Sequence, residues 1–105
     1  MKEEILIEVL NKNWNENGFF KKLRYPSEID FSQGNDLLEN LKSFSINPET
    51  TFLNRDLVRL LWYIPQFMDW QKERLADKNT ENNYKLYLAL SGQISEQVER
   101  VLGYP

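Results

Sequence analysis

Residues Asn54 to Leu75, NRDLVRLLWYIPQFMDWQKERL, form the longest strongly apolar helical signal in the chain, and the other segments read as elements packed around it. At about 100° per residue, Leu57, Leu60, Leu61, Ile64, Phe67, Met68 and Leu75 fall on one broad face. Asn54 is placed to cap the start, Asp56 suits the positive end of the helix dipole, and Leu53 can staple onto Val58. Pro65 stands in the middle. It has no N–H and its ring clashes with the Leu61 carbonyl, so a kink or a break is expected there. The apolar face continues in phase past Pro65, which favours a kink.

Val58 and Trp62 flank one side of the apolar stripe, and Tyr63 and Trp70 lie towards the back of the helix, near Arg59. A surface helix normally has a polar back. Large aromatic side chains are mostly core residues, so the favoured reading is that other helices cover this one on two or three sides. The alternative is that Trp62, Tyr63 and Trp70, with Arg55 and Arg59, belong to a binding surface, because Trp, Tyr and Arg are enriched at interface hot spots.

A chain of 105 residues suits one domain rather than two. At this size folding buries roughly 60–68% of the unfolded surface, so no disulfide or metal staple is required. There is no cysteine, which excludes thiol catalysis and thiolate metal sites, and no histidine, the commonest general base and metal ligand. Eleven Asn residues among many Lys, Glu and Ile point to an AT-rich and most simply bacterial gene. The opening MKEEILIEVL is too acidic for a signal peptide, and no apolar run approaches the ~18 residues that span a membrane. A cytoplasmic protein is expected. The net charge of −3 is uneven: residues 1–40 hold five basic and eight acidic residues, and the remainder is balanced. That disfavours nucleic acid and favours a basic partner.

Around the central segment, Lys2 to about Trp14 reads as a first helix on Leu6, Leu10 and Trp14, with Gly18 as a candidate C′ residue after it. Phe19 to Tyr25, FFKKLRY, suits a turn of helix closed by Pro26, which restricts Tyr25 to an extended conformation. Its three cations read as a solvated rim over Phe19 and Phe20. Ser27 to Asp30 is loop-like. Ser32 to Phe44 reads as a helix capped by Ser32, with Leu37, Leu38, Leu41 and Phe44 on its face and some stability lost at Gly34. Pro48 could start a turn of helix that includes Phe52. The last helix runs from Thr80, its N-cap, to Leu102, and Gly103 ends it. Tyr84, Tyr87, Leu88, Ile94, Val98, Val101 and Leu102 line one face, with small residues Ser91, Gly92 and Ser95 allowing close approach of a neighbour. A short connection implies an antiparallel hairpin with the central helix. The expected fold is all-α, a single-domain bundle of four to five helices with a Pro-kinked central helix.

Chemical motifs are absent. No G-x-G-x-x-G, P-loop, H-E-x-x-H or EF-hand pattern occurs, and no Ser/Lys pairing suggests a nucleophile. Asp69, Glu73 and Asp77 make an acidic ridge on one helix, neutralised by Lys72, Arg74 and Lys78, where a metal would need carboxylates converging from separate elements. No enzyme, cofactor or metal site is expected. A helix-turn-helix DNA binder would show excess positive charge on a recognition helix, and no helix does.

Small size, an acidic first half, many aromatics and no catalytic equipment together resemble, in kind, the small cytosolic immunity proteins that protect bacteria from toxins, many of them nucleases. The resemblance is of the whole chain and carries over no residue. It implies a protein-binding inhibitor that occludes the active site of a basic toxin domain. The candidate contacts are Glu16, Asp30, Asp36 and Glu39, with Trp14 or Tyr25 as an aromatic anchor. The alternative is a helical regulatory or homo-oligomeric assembly module, in which a second copy covers the surplus apolar surface.

Overall fold

The computed structural model describes residues 1–47 and 49–104. The helices in chain order are α1 (Glu3–Trp14), α2 (Phe19–Arg24), α3 (Phe31–Ser43), α4 (Arg55–Leu61), α5 (Ile64–Trp70), α6 (Lys72–Lys78) and α7 (Glu81–Leu102), with no strand among the described residues. The fold is all-α, and α4 to α6 are one rod interrupted twice, which makes five helical units.

The interruptions have different causes. Trp62 and Tyr63 keep right-handed helical dihedrals between α4 and α5, so the chain kinks without leaving the helical basin. Pro65, in the first turn of α5, can supply no N–H to the Leu61 carbonyl. The second kink, at Gln71, was not expected. Gln71 is buried, and its side-chain Nε2 donates to the Phe67 carbonyl at 3.2 Å. That carbonyl is the acceptor its own N–H would use in a regular helix, and the N–H turns to Met68 O at 3.3 Å instead.

All seven residues of the expected apolar face, Leu57, Leu60, Leu61, Ile64, Phe67, Met68 and Leu75, are buried in one core with Leu6, Leu10, Leu37, Leu41 and Phe44. The rod does not organise the fold alone. The uninterrupted α7 touches α3, α4, α5 and α6, whereas the rod lies between α7 and α1. Tyr87 of α7 donates its hydroxyl to Met68 O at 2.7 Å. Val58 and Val101 line one cleft further along, so the rod and α7 run antiparallel as expected.

Local details depart from the sequence reading. Gly18 is the N-cap of α2, not the C′ residue of α1, and a Cβ there would lie 2.3 Å from the Lys12 carbonyl oxygen and 2.5 Å from that of Asn13. Close backbone approach, not a left-handed conformation, requires glycine; Asn17 takes the positive φ of 65°. Asp30, not Ser32, caps α3, accepting from Gln33 N at 3.0 Å. On α7 the buried stripe is Tyr87, Leu90, Ser91, Ile94, Val98 and Val101, while Leu88 and Gly92 face outward. Of the small residues expected to allow close approach, Ser91 is buried on the stripe and Gly92 is exposed; the tightest approach is at Gly34, where a Cβ would meet Leu90 Cδ2 at 2.6 Å and Phe19 Cε1 at 2.8 Å. The helical turn expected from Pro48 lies outside the described residues at its first position, and Phe52 is non-helical and exposed. Asn54, Thr80 and Gly103 take their expected capping places.

Candidate partner-binding surface

The kinks of the rod decide which aromatics reach the surface. Trp62 lies at the first kink and Trp70 ends α5 just before the second, and their side chains are 56% and 60% exposed. Tyr63, half-buried, joins them. Its ring centroid lies 5.4 Å from that of Trp62 and 5.8 Å from that of Trp70, the latter edge-on. Behind it stand Phe67 at 6.0 Å and Trp14 at 6.2 Å. Trp14 in turn stacks on Phe20 at 4.2 Å and meets Phe67 edge-on at 5.1 Å. Aromatic pairs in these geometries each add about 0.5–1.5 kcal/mol beyond their burial. The exposed indoles are thus mounted on a ladder of rings that ends in the core, so the covered-back reading of the sequence holds for Tyr63 but not for Trp62 and Trp70.

Trp14, expected as an anchor, is part of this mounting. Its indole Nε1 donates to the Leu60 carbonyl at 3.0 Å, at the position where the first kink interrupts the rod. With its N–H engaged and its ring stacked on Phe20, the half-buried Trp14 positions α1 against α4.

Asp30 is likewise engaged within the fold. Besides capping α3, it binds Lys22 Nζ at 2.9 Å. The backbone N–H of Gln33 chiefly, and then Lys22, hold its carboxyl below the usual carboxylate range. It is no free contact for a partner.

The other four expected contacts are exposed and fall in two neighbouring clefts. Glu16 and Tyr25, the latter 85% exposed, line a shallow cleft of about 390 Å³ with Asn17, Lys21 and Arg24. Asp36 and Glu39 line a second with Ser32, Gln33 and Asn35. The clefts meet where Gln33 Nε2 donates to the Asn17 carbonyl at 2.8 Å. In the other direction, Lys21 and Arg24 also border a small cleft over Trp14, Phe20 and Phe67. Trp14 then borders a further cleft with Arg59 and Tyr63. The surface therefore runs from the aromatic platform, past two cations, to the carboxylates of α3. Lys21 and Arg24 lie in the last turn of α2, where the helix dipole favours cations. The sequence showed these residue types but not their neighbours, because adjacency here joins segments up to about fifty residues apart.

Among the described residues no group of three or more acidic side chains gathers as a metal site, and no helix is long and apolar enough to cross a membrane. Asp69 pairs with Lys72 at 2.8 Å on the exposed ridge. No protein-family model matches the chain, and neither a curated protein nor a solved structure matches it.

Proposed function

We propose that this protein is a non-catalytic, protein-binding inhibitor of the immunity type, and that Trp62, Tyr63 and Trp70 form the centre of its contact surface. The observation that carries this reading is the pair of indoles, each more than half exposed, braced by Tyr63 against the core. Leaving two indoles in water forgoes the apolar burial that large aromatics provide. A braced ring also loses little further freedom on docking, which is what makes rigid aromatics effective anchors. Asp36, Glu39 and Glu16 lie along the same surface and supply the charge that steers a basic toxin domain, such as a nuclease, into register. Inhibition is by occlusion.

The test is capture from native lysate at low and high salt with the wild type and a Trp62→Ala/Trp70→Ala double variant, its fold checked by circular dichroism. A stoichiometric basic partner that weakens with salt, and binds the double variant at least roughly 30-fold less tightly, supports the reading. A partner retained undiminished by the double variant refutes the surface. The alternative, a homo-oligomeric assembly module, would show as a concentration-dependent dimer in light scattering that the double variant abolishes.

A further inference from the structure

The corner between α1 and α2 carries a covalent chemistry of its own. Of the eleven asparagines only Asn17 precedes a glycine, and every other one precedes a bulkier residue. The Cγ of an asparagine is open to attack by the backbone nitrogen of the next residue, and a glycine there leaves that nitrogen unshielded. The fold requires both members of this pair. Asn17 is exposed and holds a φ of 65°, a conformation that asparagine tolerates better than most residues with a Cβ. At Gly18 a Cβ would lie 2.3 Å from the Lys12 carbonyl oxygen and 2.5 Å from that of Asn13, so no larger residue fits.

The folded corner holds the reacting atoms apart. Gly18 N–H donates to the Asn15 carbonyl at 3.0 Å, and φ is positive at Asn17 but not at Glu16, which makes residues 15–18 a type II turn. In that turn ψ at Asn17 is about 0°, which rotates the Gly18 nitrogen well away from the Asn17 Cβ. A five-membered ring through Gly18 N and Asn17 Cγ needs the two nearly eclipsed. The peptide that must rotate is held at both ends: its N–H by the Asn15 carbonyl, and its carbonyl by Gln33 Nε2 at 2.8 Å.

We infer that Asn17–Gly18 is a deamidation site gated by this peptide, unreactive while Asn15 and Gln33 hold it and reactive once it turns. In the open corner the Gly18 nitrogen attacks Asn17 Cγ. The N–Cγ bond forms, the Cγ–Nδ2 bond breaks, and the Gly18 amide proton leaves with Nδ2 as ammonia. Water then opens the cyclic imide at either carbonyl and leaves aspartate or isoaspartate at position 17. The product sets a new carboxylate beside Glu16, in the cleft that Lys21 and Arg24 border. Isoaspartate also lengthens the backbone where Gly18 has least room. The site is a property of the chain alone and is independent of the proposed function.

The experiment incubates the full-length wild type and Gln33→Ala in mildly alkaline buffer, with and without denaturing urea, and reads conversion at each asparagine by peptide mapping with mass spectrometry. In urea, Asn17 should convert fastest of all. In the folded wild type it should convert roughly tenfold or more slowly than in urea, because two hydrogen bonds must open first. Folded Gln33→Ala should convert roughly fivefold faster than the folded wild type, the worth of one hydrogen bond, with the rise confined to Asn17. Another asparagine converting faster in urea overturns the site. Equal rates for the folded and unfolded wild type overturn the gate. A Gln33→Ala protein that converts no faster, or a rise shared by the other asparagines, overturns the hold assigned to Gln33.

Discussion

Two Gly→Ala substitutions should move stability in opposite directions. Gly34 and Gly92 both lie within helices, where alanine is preferred to glycine by about 1 kcal/mol. At Gly92 nothing stands within 4 Å of an added Cβ, so Gly92→Ala should gain nearly that amount. At Gly34 the Cβ would meet Leu90 Cδ2 at 2.6 Å and Phe19 Cε1 at 2.8 Å. Leu90 could swing its methyl only within a packed core. Phe19 is fully buried and held edge-on to Phe20 at 5.3 Å. Overpacking costs about 1–3 kcal/mol, and two contacts under 3 Å against buried side chains put this site in the upper part of that range, about 2–3 kcal/mol, which exceeds the propensity gain and leaves Gly34→Ala about 1–2 kcal/mol less stable. The two variants should then differ by about 2–3 kcal/mol, or roughly 10–20 °C in Tm. Urea unfolding of both against the wild type reads the difference directly, with the slope checked for constancy. A Gly34→Ala protein as stable as the wild type would refute the close approach of α3 to α7 at this point. A Gly92→Ala protein with no gain would show that propensity is not the opposing effect.

Other outcomes follow from single contacts. Arg100 Nη2 donates to the Leu41 and Phe44 carbonyls at 2.8 Å each, closing the end of α3, so Arg100→Ala should cost about 2 kcal/mol in denaturant unfolding, and lysine, lacking the planar fork, should recover little of it. Asp30, whose folded pKa is depressed, adds stability that is present above about pH 4, its unfolded value, and is lost as pH falls through the folded value. Asp30→Asn should therefore flatten the acid side of the stability–pH profile while leaving a weaker cap. Burial pushes the Tyr87 hydroxyl well above its ordinary value, so its contribution is complete below about pH 10 and declines above it as the unfolded chain ionises. Tyr87→Phe should cost about 1 kcal/mol at neutral pH, and its stability should fall less steeply in alkali, as followed by pH-dependent urea midpoints.

Periodicity was enough to read the helices, because a core-facing stripe is a local property of the chain. Leu57 through Leu75 could be placed on one face with no tertiary information, and so could the caps Asn54, Thr80 and Gly103, whose roles depend on bonds made within a few residues. Pro65 likewise announced the first kink, since its missing N–H is covalent. The second kink was not legible: Gln71 competes for the Phe67 carbonyl only because burial leaves its amide no water. Exposure was decided at the same level. Trp62, Tyr63 and Trp70 are similar in composition and spacing, yet only packing against Trp14 and Phe67 half-covers Tyr63 and leaves both indoles out. The candidate contacts divided for the same reason. Trp14 and Asp30 look free in sequence, but each has a fixed partner, the Leu60 carbonyl for one and the Gln33 N–H with Lys22 for the other. Which polar or aromatic side chains remain available to a partner is a sum over long-range neighbours, and that sum exists only once the chain has folded.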